Sequence, residues 1–523
     1  MEVQLPLPLP LLLGSLAVSV AMWFILFHRG GGDAMRNRLL PPGPRGWPVL
    51  GNLLQLGAKP HRTLTSLALE YGPLFRLRFG KTEVVVAASA AVASQILRVH
   101  DVNFRNRPPN SGAEHLAYNY QDLVFAPYGA RWRALRKLCA VHLFSAKALR
   151  DIRHIREDEV ALMVRGLARS GAQAVALSQA VNTCAANTLA KAIFGRQLIA
   201  IDGGEGSRVF KEMVHELMQL AGVFNIGEFV PLLSWLDPQG VVRKMKRLHR
   251  RYDDMMNEII KKRKEEEDGK DLLSVLLTRM REQLPLFDGA DAMITETEIK
   301  ALLLDLLTAG TDTTTITVEW AMAELIRHPD FLKQAQQEAD DVIGHDRLVS
   351  ESDLPQLTYL TAVIKETFRL HPPTPLSLPR VAAEECEVGG FRIPGGVTLL
   401  VNVWAIGRDP GVWTEPLEFK PGRFLPGGSH AGVDLRGSDF ELIPFGGGRR
   451  ICAGLSWGLH MVTLIMATLV HSFNWNLPGG LAVDRLNMEE AYGLTQERAV
   501  PLMVNPETRL LPSAYMEWSR NGF

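Results

Sequence analysis

Pro444-Phe445-Gly446-Gly447-Gly448-Arg449-Arg450-Ile451-Cys452-Ala453-Gly454 is the stretch on which the reading of this chain turns. It leads from a glycine-rich turn into the apolar segment Leu455 to Phe473, which has no proline and one internal glycine and predicts a buried helix. Cys452 then falls at or just before the helix N-terminus, where unpaired amides and the positive end of the helix dipole favour a thiolate. A thiolate is the form in which cysteine binds a metal. The glycines let the backbone fold tightly under a flat ligand, and Arg450 can reach a carboxylate from the same loop. The plainer alternatives are an inert core cysteine and an ordinary turn. A phosphate cradle of the Walker type is excluded, because no Gly-Lys-Ser/Thr follows.

With 523 residues the chain can bury a large core. Apolar residues make up 46 % and charged residues 22 %, ordinary for a globular protein. A formal net charge of zero argues against nucleic-acid binding as its main task. Cys139, Cys184, Cys386 and Cys452 are far apart and form no C-x-x-C pair, so neither a zinc site nor a disulfide framework is indicated. The folded part is expected in a reducing compartment.

Working outward to the N-terminus, Leu5 to Phe27 carries no charge, with Pro6, Pro8 and Pro10 at its front. Its helical core, Leu11 to Phe27, is about the minimum for crossing a hydrocarbon layer of roughly 30 Å. A cleaved signal peptide is the rival, but the start carries Glu2 and no Lys or Arg. Arg29, Arg36 and Arg38 follow the span and predict a cytoplasmic body. Residues 1–28 are therefore read as a single-pass membrane anchor and 29–51 as a basic, proline-rich hinge centred on Pro41 to Pro48. Residues 52–523 are read as one globular domain. The hinge prolines fix φ and remove donors, which makes a stiff extended segment.

In the body, Leu74 to Phe79 alternates, Gly80-Lys81 turns, and Thr82 to Ala87 completes a hairpin. A second small β region is read at Glu385–Val388 and Phe391–Ile393, with Val397–Val401 following. The remainder is helical in pattern, giving a mainly α (α+β) body with small segregated sheets. Asn103 to Gly129 is a long loop, usually functional or mobile at that length; a floppy surface loop is the plainer reading, but Tyr118, Tyr120, Phe125 and Tyr128 argue that part of it is buried. Trp132 and Arg136 lie four apart on the next helix and can bind an acid group together, or can be ordinary packing plus a surface charge. Thr295 and Glu298 form a capping-box signature. The helix they start contains Ala309-Gly310-Thr311-Asp312-Thr313-Thr314-Thr315, a poor helical interior that suggests a local break. Glu366 and Arg369 are three apart on one helix face, a pair worth little if exposed. Pro372 then ends that helix.

The spacing Phe445-x-x-Gly448-x-Arg450-x-Cys452-x-Gly454 resembles the haem-ligating loop of the cytochrome P450 family. The resemblance implies haem b, with Cys452 as axial iron ligand, Phe445 beside it, and Arg450, Trp132, Arg136 and Arg380 as propionate partners. The segment from Ala309 to Thr314 resembles the family's (Ala/Gly)-Gly-x-(Asp/Glu)-Thr-(Thr/Ser) motif. It implies that Asp312 relays protons and that the Thr313 hydroxyl holds the water or oxygen species receiving them. Glu366 and Arg369 resemble the buried Glu-x-x-Arg pair, joined by Arg423 of Pro421-Gly422-Arg423-Phe424. Gly422 stands where the family usually has glutamate, which implies a weakened network or another acid. The resemblance also implies a proline hinge after the anchor, residence in the endoplasmic reticulum membrane, and electrons from NADPH through a membrane-bound cytochrome P450 reductase. The chain itself carries no dinucleotide fingerprint.

A narrower resemblance, to plant flavonoid 3'-hydroxylases, lies in Arg107–Ala113, Ala117–Gly129, Gly432–Glu441 and Ala491–Thr495. It implies hydroxylation of the flavonoid B-ring at the 3' position, with naringenin, kaempferol or apigenin as substrates. Tyr120, Phe125, Ala309 and Thr495 are the expected pocket residues. Thr495, in place of alanine or serine, points to single 3'-hydroxylation rather than 3',5'-hydroxylation. Gly447, Gln496 and Glu497 depart from that group's usual residues. A reductase-independent haem-thiolate isomerase or dehydratase, a haem-binding protein without catalysis, and a hydroxylase of another phenylpropanoid are the alternatives.

Overall fold

The computed structural model describes residues 39–171, 173–198, 205–266, 269, 271–285 and 293–516. The segment read as an anchor lies outside the described residues, as does most of the positively charged stretch after it. Everything else is arranged around one helix of 32 residues, Glu296–Arg327. Its start is the expected capping box: the Thr295 hydroxyl accepts the Glu298 N–H at 3.2 Å, and the Glu298 carboxylate accepts the Thr295 N–H at 2.9 Å. This central helix packs against Leu177–Phe194, Leu455–Ser472 and Thr358–Leu370, which bury most of its circumference. Leu455–Ser472 is the one described helix long and apolar enough to cross a membrane. Two thirds of it (67 %) is buried in the body, so it is a core helix.

The break expected near Gly310 is absent, because the central helix runs on through residues 309–315. The threonines do not compete with the helix. Thr313, Thr314, Thr315 and Thr317 each donate to the carbonyl four residues back, at 2.7–2.9 Å. The glycine has a packing reason instead: a Cβ at position 310 would lie 2.6 Å from Leu189 Cδ1 on the neighbouring helix.

The sheets are small and stand apart from the helices. β1 (Leu74–Phe79) and β2 (Thr82–Ala87) form the expected antiparallel hairpin, with Leu74 opposite Ala87. β3 (Val175–Ala176) belongs to a second sheet. β4 (Arg380–Val381) edges the first sheet, and β5 (Cys386–Val388) with β6 (Phe391–Ile393) makes the second expected hairpin. β7 (Thr398–Val401) does not join that hairpin. It runs parallel to β2, between β2 and β4, and all its residues are buried, as a central strand requires. β8 (Phe473–Asn476) and β11 (Met503–Thr508) complete the second sheet. β9 (Glu490–Tyr492) and β10 (Gln496–Arg498) form a tight hairpin against the central helix.

The proline-rich stretch is docked on this body. The Pro42 carbonyl accepts the Arg76 N–H at 2.8 Å, and a Cβ on Gly43 would sit 2.0 Å from the Arg76 carbonyl oxygen. Residues 41–51 thus follow the edge of β1.

Candidate functional site

The cysteine loop is held by its own backbone and by glycines. The Cys452 N–H donates to the Phe445 carbonyl at 3.0 Å, closing the turn before the helix Leu455–Ser472. Gly446 and Gly448 have φ of 73° and 68°, the left-handed region that side chains disfavour. At Gly448 a Cβ would also lie 2.2 Å from Asp101 Oδ1. Phe445 packs edge-on against Phe368 at 5.3 Å, tying the loop to the helix Thr358–Leu370. The Cys452 side chain is open on one side while protein surrounds the rest of it. Burial pushes its thiol above the ordinary range, opposed by the Gly454 N–H and by Arg136. The net direction is opposite to that expected from the helix N-terminus alone, because desolvation outweighs the amide and the guanidinium. A cation at the sulfur would reverse that balance, so the thiol is suited to a metal rather than to standing free as a thiolate.

Arg450 of this loop is joined by Arg105, Arg107 and Arg380. Burial and mutual repulsion depress Arg107, and burial brings Arg380 and Arg450 down to about 10. Arg380 donates to the Gly447 carbonyl at 2.7 Å through Nη2, while its buried Nη1 has no hydrogen-bond partner. Arg105 Nε is likewise buried and unpartnered. Asp101 Oδ1 stands 3.7 Å from Arg380 Nη1, an ion pair without a hydrogen bond, so these donors can still take an anion.

Two of the expected anion partners are engaged differently. Arg450 gives its donors to the carbonyls of Arg105, Val124 and Ala126, at 2.8, 3.4 and 2.6 Å. It therefore clamps the Asn103–Gly129 loop to the cysteine loop. The Trp132 indole N–H donates to the Leu123 carbonyl at 2.9 Å and is not free for an acid group. Its ring stacks with Arg136 at 5.3 Å and Arg450 at 4.7 Å. Arg136 interacts electrostatically with Cys452, so Trp132 holds a cation close to the sulfur.

On the central helix, the exposed side chain of Ala309 and the half-exposed one of Thr313 are one turn apart; Gly310 and Asp312 are half-exposed too, while Thr308, Thr311 and Thr314 are buried. Thr313 Oγ1 donates to the Ala309 carbonyl at 2.7 Å, which leaves its lone pairs as acceptors. The neighbouring Asp312 accepts a 2.6 Å hydrogen bond from Thr495 Oγ1, across from the β9–β10 hairpin. Burial pushes Asp312 up to about 6, with Thr495 opposing and Glu497 adding to the rise. A carboxyl with that value can both take and give a proton near neutrality. Asp312→Asn is expected to slow product formation by about 10²-fold while haem loading is retained. Because the folded value lies above the unfolded one, the stability associated with protonated Asp312 is lost as pH rises through about 6. The variant should therefore gain thermal stability over the parent between pH 4 and pH 8, read as two melting curves. A gap that narrows with rising pH would refute this account of Asp312.

These features fit an iron porphyrin: a sulfur donor before a helix, uncapped guanidinium N–H groups for acidic side arms, and an open helix face at Ala309 and Thr313. A Cytochrome P450 family profile matches residues 41–501. The chain belongs to the cytochrome P450 family. A flavonoid 3'-monooxygenase of Oryza sativa subsp. japonica is 72 % identical, over 97 % of this P450 and 99 % of that relative. One from Arabidopsis thaliana is 58 % identical over 94 % and 95 % of the two chains. A flavonoid 3',5'-hydroxylase of Crocosmia x crocosmiiflora is 54 % identical over 91 % and 92 %.

The P450 brace is intact. Glu366 accepts two hydrogen bonds from Arg369, at 2.7 and 2.8 Å, and one from Arg423 at 3.2 Å. Gly422 bears on none of this, because it is exposed and a Cβ there meets nothing within 4 Å. The network is neither weakened nor moved to another acid; backbone carbonyls satisfy the remaining arginine donors.

Among the expected pocket residues, Thr495 is buried on Asp312 and Phe125 is half-buried. The Tyr120 hydroxyl is spent within the loop, accepting the Asn110 N–H at 3.0 Å and donating to the Asn110 carbonyl at 3.2 Å. That hydroxyl braces the loop on which the ring sits.

The departures from the flavonoid group also acquire physical partners. Gln496 donates to Glu490, which also binds His61 at 2.9 Å. Glu497 faces His215 at 3.6 Å. Gly447 lies under the Phe440 ring, where a Cβ would come within 3.2 Å. Sequence reasoning missed Asp101, Arg105, Arg107, Asp122 and Asp305. Only Asp305 left a signal, a lone carboxylate inside the apolar run Leu302–Leu307.

Proposed function

We propose that this P450 is a haem-thiolate monooxygenase that hydroxylates the 3' position of the flavonoid B-ring. The observation that carries this is the set of flavonoid 3'-monooxygenases at 58–72 % identity over at least 91 % of the chain. The 3',5'-hydroxylase relative at 54 % makes double hydroxylation the second reading. Cys452 would supply the sulfur ligand to the haem iron and Arg380 would bind an acidic side arm, with Trp132 and Arg136 supporting the sulfur side. When bound, the haem activates dioxygen with electrons supplied from outside the chain, and the cysteine sulfur favours O–O cleavage. Asp312 holds and releases a proton beside Thr313. Phe125, Ala309 and the Thr495 segment border a flat aromatic substrate.

Residues 1–28 anchor the protein in the endoplasmic reticulum membrane, with 29–51 as hinge and 52–523 as cytoplasmic catalytic domain. An NADPH-dependent cytochrome P450 reductase supplies the electrons. The test is expression of the full chain with such a reductase, offering naringenin, kaempferol and apigenin. The expected products are the 3',4'-catechols. A 3',4',5'-trihydroxy product would establish the second reading. Turnover of a hydroperoxide without NADPH, and no catechol, would replace both with an isomerase or dehydratase.

A further inference from the structure

Two carboxylates outside the proton pathway, the buried Asp122 and the half-buried Asp305, act on the long loop. Asp305 sits on the central helix four residues, about one turn, before Ala309. Its Oδ2 accepts the N–H groups of Leu123 at 2.7 Å and Val124 at 3.1 Å. Asp122 accepts the Phe125 N–H at 3.0 Å through Oδ2, and its buried Oδ1 has no partner. The carbonyls of the same segment are taken by arginines: Val124 by Arg107 at 3.2 Å and by Arg450 at 3.4 Å, and Ala126 by Arg450 at 2.6 Å. The amides of Leu123, Val124 and Phe125 are thus held by acids, the carbonyls of Val124 and Ala126 by guanidinium groups, and the Leu123 carbonyl by the Trp132 indole. This irregular backbone has no helix or strand to satisfy it, so these side chains decide where it lies.

We propose that Asp305 is a positioning residue for substrate recognition. Through the Leu123 and Val124 amides it fixes the backbone that carries Phe125, one helical turn from the exposed Ala309, and so sets the affinity for a flat aromatic substrate. Burial and the charge of Asp122 hold the Asp305 carboxyl well above the ordinary range, while Asp122, which faces Arg107 and Arg450, rises only to about 6. What acts on the loop is the Asp305 oxygen that accepts the two amides. An asparagine supplies the same oxygen.

The inference rests on the flavonoid reading only for its choice of ligand. The test uses the full, haem-loaded chain as parent, Asp305→Ala and Asp305→Asn. Amide hydrogen exchange is followed over the peptide spanning 122–126, and naringenin affinity by optical titration. In Asp305→Ala, exchange of that peptide and the naringenin Kd should both rise about tenfold or more, because two hydrogen bonds to the loop are lost together. Helical content and kcat should stay near parent values. Asp305→Asn should restore both readouts. Unchanged exchange in the alanine variant overturns the clamp. Faster exchange with unchanged Kd overturns the positioning role and leaves a structural one. An asparagine variant that behaves like alanine overturns the accepting-oxygen account. If the parent binds no naringenin, the flavonoid reading fails, and the exchange arm decides the clamp by itself.

Discussion

Cys452→Ser is expected to remove the thiolate-type Soret band of the reduced carbon monoxide complex and to bring product formation to background, with helical content unchanged. The substitution keeps the shape of the loop. The Cys452 N–H still closes on Phe445, and Gly446 and Gly448 still carry the turn. What changes is the acidity of the donor. Burial already pushes the thiol upward, and only the Gly454 N–H and Arg136 oppose it. A hydroxyl is far harder to ionise than a thiol, so in the same surroundings it stays a neutral alcohol. The electron release that favours O–O cleavage is then lost, because it belongs to the thiolate sulfur. Absorbance spectra of reduced, carbon monoxide-treated protein decide the matter. A serine variant that keeps the thiolate band would remove Cys452 from the site.

Much of this architecture is legible in contiguous residues. The Thr295–Glu298 box, the β1–β2 hairpin and the Glu366–Arg369 pair each encode their geometry in a spacing of two to four residues. The cysteine loop is legible for the same reason. What escaped the sequence is pairing between distant residues. Thr495 and Asp312 are 183 positions apart, and nothing local in either announces the other. Arg450 was read as an anion partner because arginines in such loops have that chemistry, but three loop carbonyls lie nearer. Gly310 suggested a break by composition, yet its cause is Leu189 on another helix. Propensity reports what a segment costs in isolation, and packing decided each of these cases. The carboxylates of Asp122 and Asp305 were invisible because their partners are backbone amides, which every residue has.

The largest stability effect is expected at Glu366, where Glu366→Ala should destabilise the protein by about 3–5 kcal/mol. Glu366 and Arg369 are both completely buried, and Arg423 nearly so. The glutamate is the acid that accepts from both arginines, and it also takes the Lys420 N–H at 2.7 Å. Its removal leaves two buried positive charges and several donors without an acceptor, which is the costly case. The consequence reaches the site through the chain. Arg369 holds the carbonyls of Gly407, Pro416 and Glu418 at 2.6–2.8 Å, and Arg423 those of Thr414 and Glu415, so this irregular segment is organised around the pair. Phe368, next to Arg369 on its helix, packs on Phe445 of the cysteine loop. Loss of the acid should therefore lower haem retention together with the urea midpoint. Glu366→Gln keeps one acceptor oxygen and should fall between parent and alanine. Gly422→Glu is the control: the added acid would face solvent, so its effect should stay within about 0.5 kcal/mol. A stabilisation of several kcal/mol from Gly422→Glu, or an alanine variant that unfolds with the parent, would mean that the brace is held by the carbonyls and not by the buried carboxylate.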